Sequence, residues 1–165
     1  MASTYSPSLR IELIGAGDQA GTWNTTTNTN LGTLIETAIA GNVTVSVASA
    51  DQALTATNGV TDQARQAILT LTTSTGAAFA IYAPPQPKQY IIYNTTAYAA
   101  TIYNSTVLGN TTAAGTGVVI PAGKKLVVFS DTVDFRSVDT YNLTGAITSV
   151  GSVTSLGSFT SAQLA

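Results

Sequence analysis

Charged side chains are scarce in this chain of 165 residues, and this scarcity constrains the fold more than any other feature. Only 8% of the residues are Asp, Glu, Lys or Arg, whereas soluble domains usually carry about 25%. Threonine is abundant instead, with 29 copies, and its β-branched side chain suits the pleated surface of a sheet. We therefore expect a mainly β protein. Its weakly charged surface is either that of a Thr-rich extracellular domain or one that other subunits largely cover.

The same composition excludes most enzyme chemistry. The chain has no His and no Cys, so it cannot form a Ser-His-Asp triad, a Cys nucleophile or the usual zinc site. Its net charge of −2 offers no electrostatic footprint for nucleic acid, and no apolar run approaches the ~20 residues of a membrane span. We predict a protein that is not an enzyme, needs no cofactor or metal, and has neither a nucleic-acid partner nor a membrane span.

Local patterns divide the chain into three parts: a polar N-terminal arm at residues 1–8, a β-rich domain at residues 9–140, and an extended segment rich in Gly, Ser and Thr at residues 141–165. Glycine recurs every six residues in the last part, and an apolar residue follows two positions after each glycine. This period favours a fibrous stem. A flexible linker is an equal alternative.

One short helix is expected at residues 31–40, after a loop at residues 15–30. The apolar residues of this stretch recur at helical spacing, and they are Leu31, Leu34, Ile35, Ala38 and Ile39. Gly41 stands where glycine commonly follows a helix. A helix of about ten residues is marginal in isolation, so its apolar stripe must pack on something.

Many short strands at regular spacing predict a sandwich or barrel of antiparallel strands. At residues 9–14 the pattern alternates, which places Arg10 and Glu12 on one strand face as an edge or interchain pair. The stretches 118–120 and 125–130 flank a Pro-Ala-Gly turn and are expected to form a hairpin.

Tyrosine is concentrated between Tyr82 and Tyr103, where five of the seven copies fall. Tyrosine combines an apolar plate with a polar tip, which suits sugar binding and protein interfaces. Tyr90, Tyr93 and Tyr98 are therefore candidate receptor contacts. Packing within the sheet is the favoured alternative.

The stretch 9–41, LRIELIGAGDQAGTWNTTTNTNLGTLIETAIAG, resembles a segment of bacteriophage tail-fibre and related virion structural proteins. Its characteristic core is GTW-x-TTTNTN followed by the short helix, and the resemblance continues through TDQARQA and IPAGK. Such sequences usually carry Gly where Asn24 stands here, and Asn is a common substitute at positive φ.

This resemblance implies a role rather than a chemistry. It implies a homotrimer in the virion, made in the host cytoplasm and released by lysis, that attaches to tail or baseplate proteins and supports host adhesion. The candidate assembly interface then comprises Trp23, Leu31, Leu34, Ile35 and Ile39. A module that binds a host surface glycan and a capsid decoration or head-fibre protein are the alternatives.

Overall fold

The computed structural model describes residues 2–138. The period-six segment proposed as a stem lies outside the described residues. Two short strands come first, β1 (Thr4–Tyr5) and β2 (Glu12–Leu13), which pair in antiparallel fashion. The N-terminal arm is thus partly folded, because β1 lies inside it.

A continuous helical segment follows. It consists of α1 (Trp23–Thr29), a π-helical turn (Asn30–Ile35) and α2 (Glu36–Ala40). Nine further strands complete the fold: β3 (Asn42–Val47), β4 (Asp51–Ala53), β5 (Ile68–Thr73), β6 (Phe79–Ala83), β7 (Lys88–Asn94), β8 (Ala100–Asn104), β9 (Val118–Ile120), β10 (Lys125–Ser130) and β11 (Phe135–Ser137). The expected mainly β class is confirmed.

The chain winds back and forth between two sheets. The five-stranded sheet has the order β11-β10-β7-β5-β3, and the four-stranded sheet has the order β4-β6-β8-β9. Successive strands from β3 to β8 alternate between the sheets, so that β3, β5 and β7 are parallel, as are β4, β6 and β8. Antiparallel pairing begins only with β9 on β8 and β10 on β7.

Two predictions of strand pairing are wrong: uniformly antiparallel strands, and the hairpin. Of the two predicted architectures, sandwich and barrel, the barrel is excluded, because within residues 2–138 the sheets do not close. Residues 118–120 and 125–130 are strands but not a hairpin, because β9 and β10 belong to different sheets. Side-chain alternation reports which residues face inward, but it carries no information on strand direction or partner.

The inward faces of both sheets form one hydrophobic core. Alternate residues of β3 and β5 are fully buried, and β6 is buried along its whole length. The fully buried aliphatic side chains of this core include Val45, Leu69, Leu71, Ile81, Ile92, Ile102 and Ile120. The region between β4 and β5 lies against one end of the core, where Leu54 and Ala64 are buried.

The helix begins at Trp23, eight residues before the predicted start, so the expected loop at residues 15–30 is wrong over its second half. Thr and Asn are weak helix formers, and the sequence 24–30 has no apolar stripe. The hydrogen bonds of distant residues hold it instead. Asn30 pairs with the backbone of Glu12, and Thr26 donates to the side chain of Gln19.

Candidate assembly interface

The helix of residues 23–40 exposes three large apolar side chains to solvent. Of the five candidate interface residues, only Leu34 is fully buried within the protomer. Ile35 is half-buried. Trp23 and Leu31 are each 60% exposed, and Ile39 is 75% exposed. The helix is thus anchored by one apolar side chain while three large ones face solvent.

The π-helical turn helps to align these exposed residues. Leu31 and Ile39 are eight residues apart, and in a regular α-helix of about 3.6 residues per turn that spacing rotates a side chain by about 80°. A π-helical turn is wider and holds more residues. Because the turn at Asn30–Ile35 lies in the interval between them, it reduces this rotation and brings Leu31 and Ile39 toward the same side.

The surroundings of this apolar stripe are almost free of charge. Glu36 is the single charged residue between positions 23 and 40. The neighbouring strand β2 and the residue after it add two more exposed apolar side chains, Leu13 and Ile14. A surface of this kind combines apolar residues with hydroxyl and amide groups, and depletion of charge is what distinguishes the centre of a protein interface.

The three candidate receptor tyrosines do not share one surface. The Tyr90 side chain is buried, its hydroxyl donates to the Ala64 carbonyl at 2.8 Å, and burial raises the pKa of the phenol. Tyr93 is half-buried beneath the ammonium of Lys125. Of the three, only Tyr98 is exposed, at 39%. The three-residue spacing of Tyr90 and Tyr93 in a strand places them on opposite faces, which the period of two could have shown.

Tyr98 borders a shallow, open cleft of about 360 Å³. Four threonines and one alanine line the rest of it: Thr72, Thr73, Thr95, Thr96 and Ala97. The backbone here is held by Asn94, whose buried amide donates to the carbonyl oxygens of Tyr98 and Ile120. An aromatic plate beside hydroxyl groups can stack on a sugar ring and hydrogen-bond its hydroxyls.

One buried ion pair, which involves Asp62 in the segment before β5, was not predicted from the sequence. Arg10 was expected to pair with Glu12, but its guanidinium donates to both oxygens of Asp62, at 3.1 and 2.8 Å. The expected pair fails because Arg10 has a φ of 52°, which removes it from the strand. The two partners lie 52 residues apart, so no local pattern joins them.

The aspartates between β10 and β11 stabilise a turn. Asp131 Oδ1 accepts from the backbone N–H groups of Val133 and Asp134, and these bonds lower the pKa of its carboxyl. Within residues 2–138, no group of three or more His, Asp or Glu side chains is placed to hold a metal ion, and no helix is long and apolar enough to cross a membrane.

No protein family, curated protein or solved structure matches this chain.

Proposed function

We propose that this chain is a non-enzymatic structural component of a bacteriophage virion. In this proposal it is a homotrimeric tail-fibre or fibre-anchoring protein that attaches to tail or baseplate proteins and supports host adhesion. The resemblance of residues 9–41 to virion fibre sequences supplies the class of protein. The exposed apolar stripe of Leu31 and Ile39, with the exposed indole of Trp23 on the same helix, is the observation that carries the proposal.

The exposed stripe is expected to pack against another protein surface, because the helix that carries it is short. A helix of this length is marginal in water and gains most of its stability from tertiary packing. Here only Leu34 is fully buried, so most of the large apolar side chains of the helix are left uncovered by their own protomer. Packing the stripes of three protomers against one another would bury the side chains of Leu31 and Ile39. It would bring together almost no charge, because Glu36 is the one charged residue of the helix.

Light scattering coupled to gel filtration tests the trimer. We expect three protomers per particle for the wild type at micromolar concentration, and dissociation for Leu31→Asp and Ile39→Asp. Val107→Asp is the matched control, since Val107 is 63% exposed but lies outside the helix; this variant should remain trimeric. A wild type that is folded by circular dichroism and monomeric at these concentrations would contradict the proposal.

Recognition of a host glycan is the second candidate function, favoured by the Thr-lined cleft beside Tyr98. A glycan array probed with the wild type and with Tyr98→Ala tests it. Tyr5→Ala is the control, because Tyr5 is similarly exposed and lies in β1. Binding that Tyr98→Ala abolishes and Tyr5→Ala preserves would support a receptor-binding role. Absence of binding, or equal binding by both variants, would remove it.

The position of the chain in the particle distinguishes a tail fibre from a capsid decoration or head fibre. Both would use the same protomer and the same helix stripe. Labelling the chain and locating it in a virion reconstruction separates the two, and density at the capsid surface would overturn the tail assignment while leaving the trimer intact.

A further inference from the structure

One end of the core between the sheets is lined by cations. Arg10 and Arg65 are buried there, and Lys88 is half-buried at the start of β7. Among the residues that the structure describes, Asp62 is the one carboxylate that forms ion pairs with this group. The buried guanidinium groups of Arg10 and Arg65 exceed the single carboxylate of Asp62 by one positive charge away from bulk water, where an uncompensated charge is costly, and the half-buried Lys88 adds another at the solvent side.

The carboxylate of Asp62 is already fully used. One oxygen accepts from the backbone N–H of Arg65 at 2.7 Å, and the other accepts from the backbone N–H of Thr57 at 2.7 Å. Both also accept from Arg10, and the Arg65 guanidinium lies 3.5 Å away. Asp62 therefore balances one of the two guanidinium groups and has no free acceptor position for Lys88.

The polar atoms that lack a partner are all donors. In the part of the chain that the structure describes, four buried side-chain atoms make no hydrogen bond: Nε of Arg10, Nε and Nη1 of Arg65, and Nδ2 of Asn104. No buried side-chain oxygen is in this state. The imbalance indicates a missing acceptor rather than a missing donor, since native proteins pair nearly all their buried polar groups.

Lys88 adds a further donor at the solvent side of this end. Its side chain points inward with those of Tyr90 and Ile92, and its ammonium lies 4.8 Å from the centre of the Tyr90 ring. Among residues 2–138, no oxygen accepts a hydrogen bond from this ammonium. Ser130, opposite Lys88 in the strand register, donates to Asn104, which places the unpaired amide of Asn104 in the same region.

We propose that this cationic end of the core binds a small oxyanion of the phosphate type, with Lys88 at its solvent-facing side and the unpaired N–H groups of Arg10 and Arg65 at its buried side. Water could satisfy the donors, but an anion would also balance the positive charge that Asp62 leaves uncompensated. Arginine and lysine are the side chains that proteins use to bind phosphate, and their charged donors give the strongest hydrogen bonds.

Thermal unfolding in increasing inorganic phosphate, at ionic strength held constant with chloride, tests this site. A ligand that binds only the folded state raises the melting temperature, and a concentration about tenfold above the dissociation constant should raise it by roughly 3–6 °C. The rise should saturate. It should disappear in Lys88→Met and persist in Lys124→Met, the control at an exposed lysine.

Two results would overturn the proposal. One is a rise that is equal in Lys88→Met and wild type, or that grows without saturation, since phosphate also stabilises proteins by exclusion from their surface. The other is a melting temperature that does not change with phosphate, which would mean that water satisfies the unpaired N–H groups. If Lys88→Met does not fold, titration calorimetry of the wild type decides, with saturable heat for phosphate and none for chloride as the supporting result.

Discussion

The side-chain amide of Asn30 is hydrogen-bonded to the backbone of Glu12 at both of its polar atoms. Oδ1 accepts from the Glu12 N–H at 3.2 Å, and Nδ2 donates to the Glu12 carbonyl at 2.8 Å. The Asn30 amide thus makes the same two hydrogen bonds to Glu12 that a neighbouring strand would make. These bonds connect the helix to the N-terminal strand pair. This contact lies where α1 passes into the π-helical turn.

Replacing Asn30 should loosen the helix from β2. We expect Asn30→Ala to lower the free energy of unfolding by about 1–2 kcal/mol, because two hydrogen bonds are lost and the backbone groups of Glu12 are only half-buried. Urea unfolding at fixed protein concentration measures this. Asn28→Ala is the control for the change in helix propensity, since Asn28 is exposed on the same helix. Equal effects of the two changes would show that the bonds contribute nothing.

The Asn30 contact also explains why the helix start could not be predicted. Helical periodicity identified residues 31–40, where apolar side chains recur, but residues 23–29 carry no such signal. Their helix depends on Glu12 and Gln19, which are not neighbours in any local pattern. The local pattern located β9 and β10 at residues 118–120 and 125–130, where the structure has them. It could not show that β9 and β10 join different sheets, because that depends on where the connecting turn leads.

The candidate sites likewise divide into those that local sequence patterns predict and those that depend on contacts between distant residues. The exposed stripe of Leu31 and Ile39 was predictable from helical spacing, although the π-helical turn that aligns them was not. The cationic cluster could not be found by local patterns, since Arg10, Asp62 and Lys88 come from three distant segments. One local signal was present at Asp62, three residues before Arg65, where its carboxylate accepts from the Arg65 backbone.

Removing the charge of Asp62 should be strongly destabilising. In Asp62→Asn the guanidinium groups of Arg10 and Arg65 would remain buried without a counter-charge, and breaking a buried ion pair in this way costs about 3–5 kcal/mol. Urea unfolding compares this variant with Asp51→Asn, a control at an exposed aspartate. A loss below about 1 kcal/mol for Asp62→Asn would mean that the cluster is compensated in another way.

Leu34 and Leu31 should respond differently to truncation. Leu34 is fully buried within the protomer, so Leu34→Ala should lower the free energy of unfolding by about 2–5 kcal/mol at every protein concentration. Leu31 is exposed in the protomer. Leu31→Ala should therefore act only through assembly and weaken the concentration dependence of the melting temperature. If Leu31→Ala leaves that dependence unchanged, Leu31 does not lie in an interface.

Lys88 makes the stability depend on pH in an unusual direction. Burial lowers the pKa of its ammonium from 10.5 to about 8, and the nearby guanidinium groups of Arg10 and Arg65 lower it further than Asp62 raises it. Below pH 8 the ammonium is charged in both the folded and the unfolded chain, and the folded state carries the full burial cost. Between pH 8 and 10.5 the unfolded chain binds the proton more tightly, so the free energy of unfolding should rise with pH.

The rise should amount to about 1–2 kcal/mol when complete, after allowance for solvent screening of a half-buried group. Urea unfolding in phosphate-free buffer between pH 7 and 9.5 captures the first part of it. The absence of His and Cys helps here, because few other side chains titrate in that range. Lys88→Met should flatten the profile, whereas Lys124→Met should leave it unchanged. A wild-type profile that falls with pH over this range would contradict the lowered pKa, because it would mean that the folded chain holds the Lys88 proton more tightly than the unfolded chain.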